Sequence, residues 1–499
     1  MIDMRKPPQE TLSFFLLHYR QTHFLNSLLT EAKNFDPNLV SFELHDDGSP
    51  AEFQKHIAAI LDLYPGMKTV LHPSNHGTVA LLEKCLAASQ SDYTYFGASD
   101  DAGCPASIQR ALWSRDLKNP LIVSDFYVIY MERRSSVYVE AILPPQWMTG
   151  KAVLPQELKK TLREGRDGAY IATHASLAPT KALLSAGGFP QKMKWHTDWF
   201  SVHVAALRTG IQYVPVPLAC WRQSAAGYSH SSRSGAKRQR DVLREILSTL
   251  TKPEYSDVRE IILSPNMTPL LDDIACQTLL AILSRPRYWR FLRRGHLRNA
   301  LHEAAAPWIS ENRLGGKLLK WLDRHHRIKS LRFVRQKFID LFLLLGGAQV
   351  GRNVRFGNKV TICGPRGLRI GDNVTFGDGV SIRASHPLAI GSGTQIGNNV
   401  RLESVNFSKK TEVRFLRKKS ICIGENVLIG SNSIIGPGAN IPSFTQVPPN
   451  SHVENVESSP LFFLDDTDQI RVNHEVLRER YGLDPQGIPI MHAKQREAL

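Results

Sequence analysis

Apolar residues in the first half of the chain follow two periods that alternate with each other. Short apolar runs, such as LSFFLLHY (Leu12–Tyr19) and VSFELH (Val40–His45), have the length and the β-branched or aromatic content of buried strands. Between them, segments such as FLNSLLTEAKNF and FQKHIAAILDLY repeat apolar residues at helical spacing. The alternation predicts an α/β domain with a parallel sheet over residues 1 to about 240.

Two pairs of adjacent carboxylates follow predicted strands of this domain. Asp46 and Asp47 follow VSFELH, and Asp100 and Asp101 follow YTYFGAS. Ligands of open α/β sheets bind beyond the carboxyl ends of the strands, so we expect both pairs at one edge of one sheet. Because adjacent negative charges repel each other, these turns predict a ligand that is positive or rich in hydrogen-bond donors.

The pattern changes from about residue 241 to 345, where helical periodicity dominates. From Arg285 to Asp340 there are 15 Lys and Arg against four Asp and Glu, and aromatic residues are interleaved with them: Trp289, Phe291, Trp308, Trp321 and Phe333. Two interpretations remain open. The segment either lies on an anionic membrane surface, or it is a solvated helical connector whose aromatic residues pack on a neighbouring domain.

From Val350 an apolar residue recurs at six-residue spacing in groups of three, and a glycine follows most of these heads. The fourteen heads are Val350, Phe356, Ile362, Ile370, Phe376, Ile382, Ile390, Ile396, Leu402, Ile423, Ile429, Ile435, Ile441 and Val447. This repeat predicts a β-solenoid with coils that begin near 350, 370, 390 and 423, a partial coil at 441 and an inserted loop at 403–422. We expect each head to point into the core and each following glycine to occupy a tight corner. The tail from about 451 is polar and is expected to be only partly helical.

Charge narrows the classes of partner. The net charge of +16 and the pI near 9.6 favour anionic partners, but no known nucleic-acid motif is present and the basic residues concentrate in one segment. The six cysteines lie far apart without a CxxC pair, which argues against a disulfide framework or a zinc knuckle and fits a reducing compartment. No signal peptide or run of ~20 apolar residues is visible. The expected location is cytoplasmic. If residues 285–340 lie on a membrane surface, the contact is peripheral and at the inner face of the cytoplasmic membrane.

Four segments of the first half stand in a characteristic order: HDDGS, NHGTVALLEKCLAASQSDYTYFGASDD, GGFPQKMKWHTDW and GIQYVPVPLACWRQS. Over about 230 residues they resemble the family-two glycosyltransferases, whose GT-A fold is Rossmann-like. The resemblance implies a nucleotide-sugar donor, a single displacement with inversion, and a nucleotide-contacting role for Asp46, Asp47, Asn75 and Asp101.

The expected chemistry needs a cation and a base. A divalent cation, Mn²⁺ or Mg²⁺, held by carboxylate oxygens can neutralise a diphosphate leaving group, and Asp100 is the best candidate ligand, with His230 as a second. Arg222 can pair with diphosphate oxygens. Asp198, at the start of a helical pattern, is the candidate general base for the acceptor hydroxyl.

The residues also allow plainer interpretations. Where the family usually has Asp-x-Asp-Asp, the first position here is Ala98, so the nucleotide contact of that first Asp is missing. A catalytically inactive sugar-binding module is therefore an alternative. Asp-Asp-Gly-Ser is also a common turn, Asp198 can simply stabilise a helix start, and His230 can be an exposed loop histidine.

Residues 346–450 resemble the left-handed β-helix of hexapeptide-repeat acyltransferases, which are trimers that bind acetyl-coenzyme A between neighbouring helices. Their catalytic histidine is expected just after Leu402, where this chain has Asn406 or Phe407 and no histidine. His386, in a Ser-His-Pro-Leu segment, lies one coil earlier. The favoured interpretation is a non-catalytic β-helix that trimerises the chain or docks a partner; the alternative is an acyltransferase that uses His386 and acetyl-coenzyme A.

The sequence thus predicts an α/β GT-A domain (1–240), a basic helical connector (241–345), a left-handed parallel β-helix (346–450) and a tail (451–499). The expected activity is transfer of a sugar from a nucleotide-sugar to a glycan or lipid-linked acceptor in bacterial surface polysaccharide synthesis. The expected assembly is a homotrimer through the β-helix. The alternative is a bifunctional glycosyltransferase and O-acetyltransferase.

Overall fold

The chain forms two compact units in a computed structural model. The first comprises residues 1–271, 277–293 and 459–499, and the second comprises 272–276 and 294–458. The structure describes residues 10–64, 67–113, 119–131, 137–142, 152–164, 171–223, 236–264, 267, 275–292, 296, 300, 336–337, 339–344, 346–409, 414–418, 420–455, 461–464, 470–481 and 483–485.

The first unit is built on a mixed sheet. Its strands are β1 (Leu12–His18), β2 (Val40–Asp46), β3 (Lys68–Leu71), β4 (Tyr93–Ala98), β5 (Ala102–Gly103), β6 (Leu121–Met131), β7 (Val137–Ile142), β8 (Ala152–Val153), β9 (Ser176–Pro179) and β10 (Ile211–Gln223). They lie in the order β7-β6-β9-β4-β1-β2-β3, and β10 pairs with β6. The first four strands run parallel, as predicted, whereas β9 is antiparallel to both β4 and β6. The α/β class is confirmed, and the sheet is mixed rather than wholly parallel.

Helices connect and cover these strands. They are α1 (Thr22–Ala32), α2 (Ala51–Leu61), α3 (Thr78–Ala88), α4 (Pro105–Trp113), α5 (Pro155–Glu164), α6 (Thr180–Ser185), α7 (Thr197–Thr209), α8 (Ala236–Leu250), α9 (Arg259–Ile262), α10 (Ala275–Leu283) and α11 (His474–Tyr481). Short 3₁₀ turns occupy Thr173–Ala175, Gln191–His196, Pro253–Tyr255, Pro286–Phe291 and Pro365–Gly367. In β1, Leu12, Phe15 and Leu16 are each at most 1% exposed, which is typical of a central strand covered on both faces.

Within the connector (241–345), residues 277–291 belong to the first unit, whereas Ile339 and Leu343 lie in described helical residues of the second unit and pack in the β-helix core. Phe291 is 4% exposed and packs in the core, whereas Trp289 is 55% exposed. Trp308, Trp321 and Phe333 lie outside the described residues. Within the described part of the chain, no helix is both long enough and apolar enough to cross a membrane.

The C-terminal tail returns to the first unit. Strands β28 (Phe462–Leu464) and β29 (Ile470–Val472), numbered after the strands of the second unit, form an antiparallel hairpin that precedes α11. Phe462 is fully buried, with its ring 5.6 Å from that of Tyr127 in β6. Nε2 of His474 lies 3.4 Å from a carboxylate oxygen of Glu31 in α1. The tail therefore contributes to the core of the first unit.

The second unit is a parallel β-helix of five coils. Its coils are β11 (Gln349–Val350), β12 (Arg355–Phe356) and β13 (Thr361–Cys363); β14 (Leu368–Ile370), β15 (Thr375–Phe376) and β16 (Ser381–Arg383); β17 (Leu388–Ile390), β18 (Gln395–Ile396) and β19 (Arg401–Glu403); β22 (Ile421–Ile423), β23 (Leu428–Ile429) and β24 (Ile434–Ile435); and β25 (Asn440–Ile441), β26 (Gln446–Val447) and β27 (His452–Val453). Corresponding strands stack into three sheets of five strands. The β-helix is confirmed, and the last coil, expected to be partial, contributes a strand to each sheet. The insertion forms a hairpin of β20 (Val405–Lys409) and β21 (Arg414–Lys418).

The six-residue repeat builds the core of this unit. Twelve of the fourteen heads, those from Phe356 onward other than Ile362, are at most 8% exposed, while Val350 in the first coil is 36% exposed. Residues four places after the heads, such as Val374 and Val400, are fully buried. The coils therefore share one continuous apolar column.

The glycines after the heads are tightly packed, as expected, but they do not have the left-handed conformation of the corner. The left-handed corner residue lies two places after the glycine, at positions such as Asn353 and Asn373, because asparagine tolerates positive φ. A Cβ on Gly371 would lie 2.6 Å from the backbone nitrogen of Ser392 in the next coil. These glycines thus allow close stacking, while the asparagines bond along the stack, with Nδ2 of Asn353 3.0 Å from Oδ1 of Asn373.

Two neighbouring residues of β22 test this register. Ile423 is 2% exposed and Cys422 is exposed. We expect Ile423→Ala to lower the free energy of unfolding of the β-helix by about 2–5 kcal/mol, because it removes buried apolar volume. Cys422→Ala should change it by less than about 0.5 kcal/mol. Urea denaturation of both variants measures this, and equal losses would contradict the inward and outward assignment.

Candidate functional site

A buried hydrogen-bonded pair fixes the carboxyl ends of β1 and β2. His18 faces Asp46 across the strand register, and its Nδ1 lies 2.8 Å from Oδ1 of Asp46. Ser49 donates its backbone N–H to Oδ2 of Asp46 at 2.9 Å and its hydroxyl to Oδ1. Burial acts to raise the pKa of Asp46, but the hydrogen bonds from His18 and Ser49 outweigh it and hold the pKa below its ordinary value. The carboxylate of Asp46 is therefore committed to shaping the turn.

Asp47 ties this turn to the start of α3. Its backbone N–H donates to the carbonyl of His18 at 2.9 Å. Its carboxylate accepts the backbone N–H groups of His76 at 2.9 Å and Gly77 at 3.0 Å. Anchored in this way, Asp47 orders the two loops that frame the edge.

Asn75 lies in the second of these loops and is exposed. Gly48, at φ 68°, approaches this loop so closely that a Cβ would lie 2.2 Å from the carbonyl carbon of Ser74. Both the left-handed conformation and the close approach require glycine after the two aspartates.

The second acidic pair lies on the other side of β1. Ser99 donates its backbone N–H to the carbonyl of Leu17 at 3.0 Å, which places the turn after β4 beside the end of β1. Nε2 of Gln21, at the start of α1, donates to Oδ2 of Asp100 at 3.2 Å. The half-buried Asp100 is thus oriented by a neutral donor.

Arg222 holds the same turn from β10. Its backbone N–H donates to Oδ1 of Asp101 at 2.9 Å, and its Nε donates to the carbonyl of Asp100 at 3.2 Å. The guanidinium, on a residue 6% exposed, lies 4.1 Å from the centre of the Phe24 ring. Burial and the charge of Asp100 raise the pKa of Asp101 well above its ordinary value, although Arg222 opposes this shift. The Asp101 carboxyl is therefore harder to ionise than an exposed aspartate, and a nearby positive charge would favour its ionised form.

Asp198 lies in the first turn of α7. It is half-buried, and its Oδ2 accepts a hydrogen bond from the Thr173 hydroxyl at 3.1 Å. Thr173 opens the 3₁₀ turn before β9. Because β9 runs antiparallel to β4, this turn lies at the carboxyl end of β4.

Side-chain contacts connect this turn to β4 and β10, the two strands next to the second acidic pair. The Tyr95 hydroxyl donates to the carbonyl of His174 at 2.9 Å, and the His174 ring lies 5.3 Å from the ring of Trp221. Burial lowers the pKa of His174 to about 4, so this ring is neutral at neutral pH. Both acidic pairs and Asp198 therefore lie along one edge of the sheet.

The carboxylates at this edge suit a cation whose remaining ligands are not protein side chains. Among the described residues, no cluster of three or more His, Cys, Asp or Glu side chains has metal-binding geometry. Asp100 and Asp101 offer carboxylate oxygens in one turn, and burial raises the pKa of Asp101. Such a set suits Mg²⁺ or Mn²⁺ bound by one or two carboxylates together with phosphate oxygens and water.

Of the two candidate histidines, one belongs to the second unit and the other is not among the described residues. His230 lies outside the described residues. His386 is half-buried in the β-helix, in the corner between β16 and β17, and its backbone N–H donates to the Ser404 hydroxyl at 2.9 Å. That contact ties the corner to the coil above it.

A cleft of about 520 Å³ lies beside the acidic edge. It is lined by the start of α3, the Gln191–His196 turn and the start of α8: His76, Gly77, Thr78, Val79, Ala80, Gln191, Lys194, Trp195 and Arg238. We refer to these residues as the α3 cleft. The sequence did not predict this cleft. The signal that could have indicated it is the adjacent Lys194 and Trp195, a cation and an aromatic residue shortly before Asp198. No sequence signal connects Thr173 to Asp198 or Gln21 to Asp100.

Comparisons with known proteins give distant structural likenesses. No protein-family model matches the chain, and no curated protein matches it. Residues 1–349 of TarS from S. aureus in complex with UDP-GlcNAc are 13% identical, with a TM-score of 0.38, over 68% of this chain and 91% of that one. The mannosyltransferase PcManGT from Pyrobaculum calidifontis in complex with GDP-Man and Mn²⁺ is 11% identical, with a TM-score of 0.35, over 69% and 90%.

The buried Asp46 makes a prediction about pH. Asp46→Asn should lower the free energy of unfolding at pH 7 by about 2–4 kcal/mol, because a buried partner of His18 loses its charge. Since the folded pKa lies below the ordinary value of 3.8, this contribution is complete above about pH 4 and disappears as the pH falls through the folded pKa. Denaturation between pH 2 and pH 7 measures it. The exposed Asp62, replaced by Asn, is the control, and a pH-independent deficit in Asp46→Asn would contradict the assignment.

Proposed function

We propose that the first unit is an inverting, metal-dependent glycosyltransferase of GT-A type that uses a nucleotide-sugar. The observation that carries this proposal is the placement of both acidic pairs and Asp198 along one sheet edge, in the order that the sequence motifs imply. The acceptor proposed is a glycan or lipid-linked oligosaccharide in bacterial surface polysaccharide synthesis.

The turn that holds Asp100 and Asp101 is the proposed diphosphate side. Asp100 would hold Mn²⁺ or Mg²⁺, which when bound neutralises charge on the diphosphate leaving group. Arg222, oriented by the Asp100 carbonyl and the Phe24 ring, would pair with diphosphate oxygens. Asn75 and the turn at Asp47 would line the nucleoside side, with Asp46 acting through the shape of that turn.

Asp198 is the proposed general base. Its carboxylate would take the proton of the acceptor hydroxyl as that oxygen attacks the anomeric carbon and the bond to the diphosphate oxygen breaks. The hydrogen bond from Thr173 to Oδ2 would orient the carboxylate for this transfer.

For the β-helix we propose a non-catalytic role in trimerisation. The insertion at 403–422 contains no histidine, and the backbone N–H of His386 donates to the Ser404 hydroxyl, which holds the corner between β16 and β17. A bifunctional glycosyltransferase and O-acetyltransferase is the alternative, carried by His386 alone.

Two substitutions separate binding from catalysis. Asp100→Asn should abolish the thermal stabilisation by nucleoside diphosphates with Mn²⁺, because it removes the proposed cation ligand. Asp198→Asn should keep that stabilisation and lower sugar transfer at least about 100-fold, because it removes the base. Thermal shift and release of nucleoside diphosphate, over nucleotide-sugars that include UDP-GlcNAc and GDP-Man, measure these effects.

The control for both is Asp62→Asn, which should behave as wild type. A wild-type protein that neither binds nor turns over any nucleotide-sugar with Mn²⁺ or Mg²⁺ would refute the activity. Stabilisation by nucleotide without any turnover would instead favour the inactive sugar-binding module.

Acetyl transfer tests the second unit. We expect no transfer from acetyl-coenzyme A by the wild type, and sedimentation of the chain as a trimer. Transfer that disappears in His386→Ala would establish the bifunctional alternative, and a monomer at micromolar concentration would exclude the trimerising role.

A further inference from the structure

We propose that the α3 cleft binds a phosphate group on the acceptor, with Lys194 and Arg238 as its counter-charges and Trp195 as a surface for the adjoining sugar. The identification of the ligand as a sugar acceptor rests on the proposed function. The phosphate site itself rests on the residues of the cleft.

The charge of the cleft is positive and uncompensated. Lys194 and Arg238 are both exposed. Within the described part of the chain, neither side chain has an ion pair or a hydrogen bond. Two free cations on one cleft of about 520 Å³, a size suited to a small sugar derivative, favour an anionic ligand.

The start of α3 adds donors to the same wall. The carboxylate of Asp47 takes the N–H groups of His76 and Gly77, outside the helix. The first turn, Thr78 to Ala80, lines the cleft and has no side-chain cap. Its N–H groups have no partner within the helix, which makes them suitable for phosphate oxygens.

The indole of Trp195 is held in place. Its Nε1 donates to Oε1 of Gln239 at 3.1 Å, and Gln239 is 3% exposed. Nζ of Lys194 lies 6.0 Å from the ring centre. A fixed aromatic face beside a cation suits a sugar that carries a phosphate, because the apolar face of the sugar can pack on the ring.

One wall of the cleft, at His76 and Gly77, lies next to the proposed nucleoside side, and the opposite wall is the Gln191–His196 turn. The second wall assigns the ligand of the cleft to the acceptor. The Gln191–His196 turn leads directly into α7, which presents Asp198 in its first turn. The acceptor hydroxyl has to reach Asp198, whereas the donor diphosphate is proposed at Asp100 and Arg222, on the neighbouring turn.

Each cation has a matched neighbour for comparison. Lys192 stands in the same 3₁₀ turn as Lys194, and Lys237 precedes Arg238; both are exposed and neither lines the cleft. Replacing each of the four residues by Gln removes one positive charge from the same surface. Their melting temperatures check that all four variants fold.

The experiment measures binding of glucose 6-phosphate, glucose and inorganic phosphate by saturation-transfer and ³¹P NMR titration. We expect glucose 6-phosphate to bind more tightly than either fragment. Lys194→Gln and Arg238→Gln should each raise its Kd about 10-fold, because each removes a charge-assisted contact. Lys192→Gln and Lys237→Gln should leave it unchanged. Saturating UDP with Mn²⁺ should not displace it.

Equal binding by all five proteins would overturn the proposal. Inorganic phosphate that binds as tightly as glucose 6-phosphate would overturn the role of Trp195. Displacement by UDP would assign the cleft to the donor and overturn the acceptor role. If no nucleotide binds but glucose 6-phosphate binds through Lys194 and Arg238, the phosphate site stands and the glycosyltransferase proposal fails.

Discussion

The register of the central strand determines where the acidic turns lie. In β1, His18 faces Asp46 and Leu17 faces Ala98, so the turns after β2 and β4 flank one strand end. The buried pair of His18 and Asp46 stabilises this arrangement. If either side chain moved away, the other would stay buried without this hydrogen bond. The proposed site depends on this constraint, since a shift of one residue would turn the acidic side chains to the opposite face.

The two aspartates of the first turn have divided roles. The carboxylate of Asp46 is hydrogen-bonded within its own turn. The carboxylate of Asp47 joins that turn to the start of α3 and so to the α3 cleft. The second turn differs, because burial penalises its charge and Arg222 compensates it only in part. The two similar Asp-Asp pairs thus differ in their surroundings: the first is hydrogen-bonded within its loops, and the second is the one proposed to hold a cation.

Periodic features were predictable from the sequence, and features that depend on distant contacts were not. The six-residue heads gave the coils of the β-helix because each inward position must be apolar, as Ile370 and Ile390 are. The antiparallel β9 escaped prediction because it is only four residues long and ends in Pro179. The placement of Asp198 beside Thr173 depends on how α7 packs on the turn before β9, which no local pattern records. The contribution of the tail to the core was also missed, because LFFL at 461–464 is a single short apolar run in a polar stretch and no local pattern shows that it packs against β6.

The return of the tail makes the first unit discontinuous in the chain. Its hairpin and α11 are separated from β10 by the whole β-helix, yet Phe462 belongs to the same core as Tyr127. During synthesis, the first unit therefore cannot complete its core until the ribosome has passed the last coil. A fragment that ends before the β-helix would lack the hairpin and present apolar surface to water, so an excised version of this unit needs the tail rejoined through a linker.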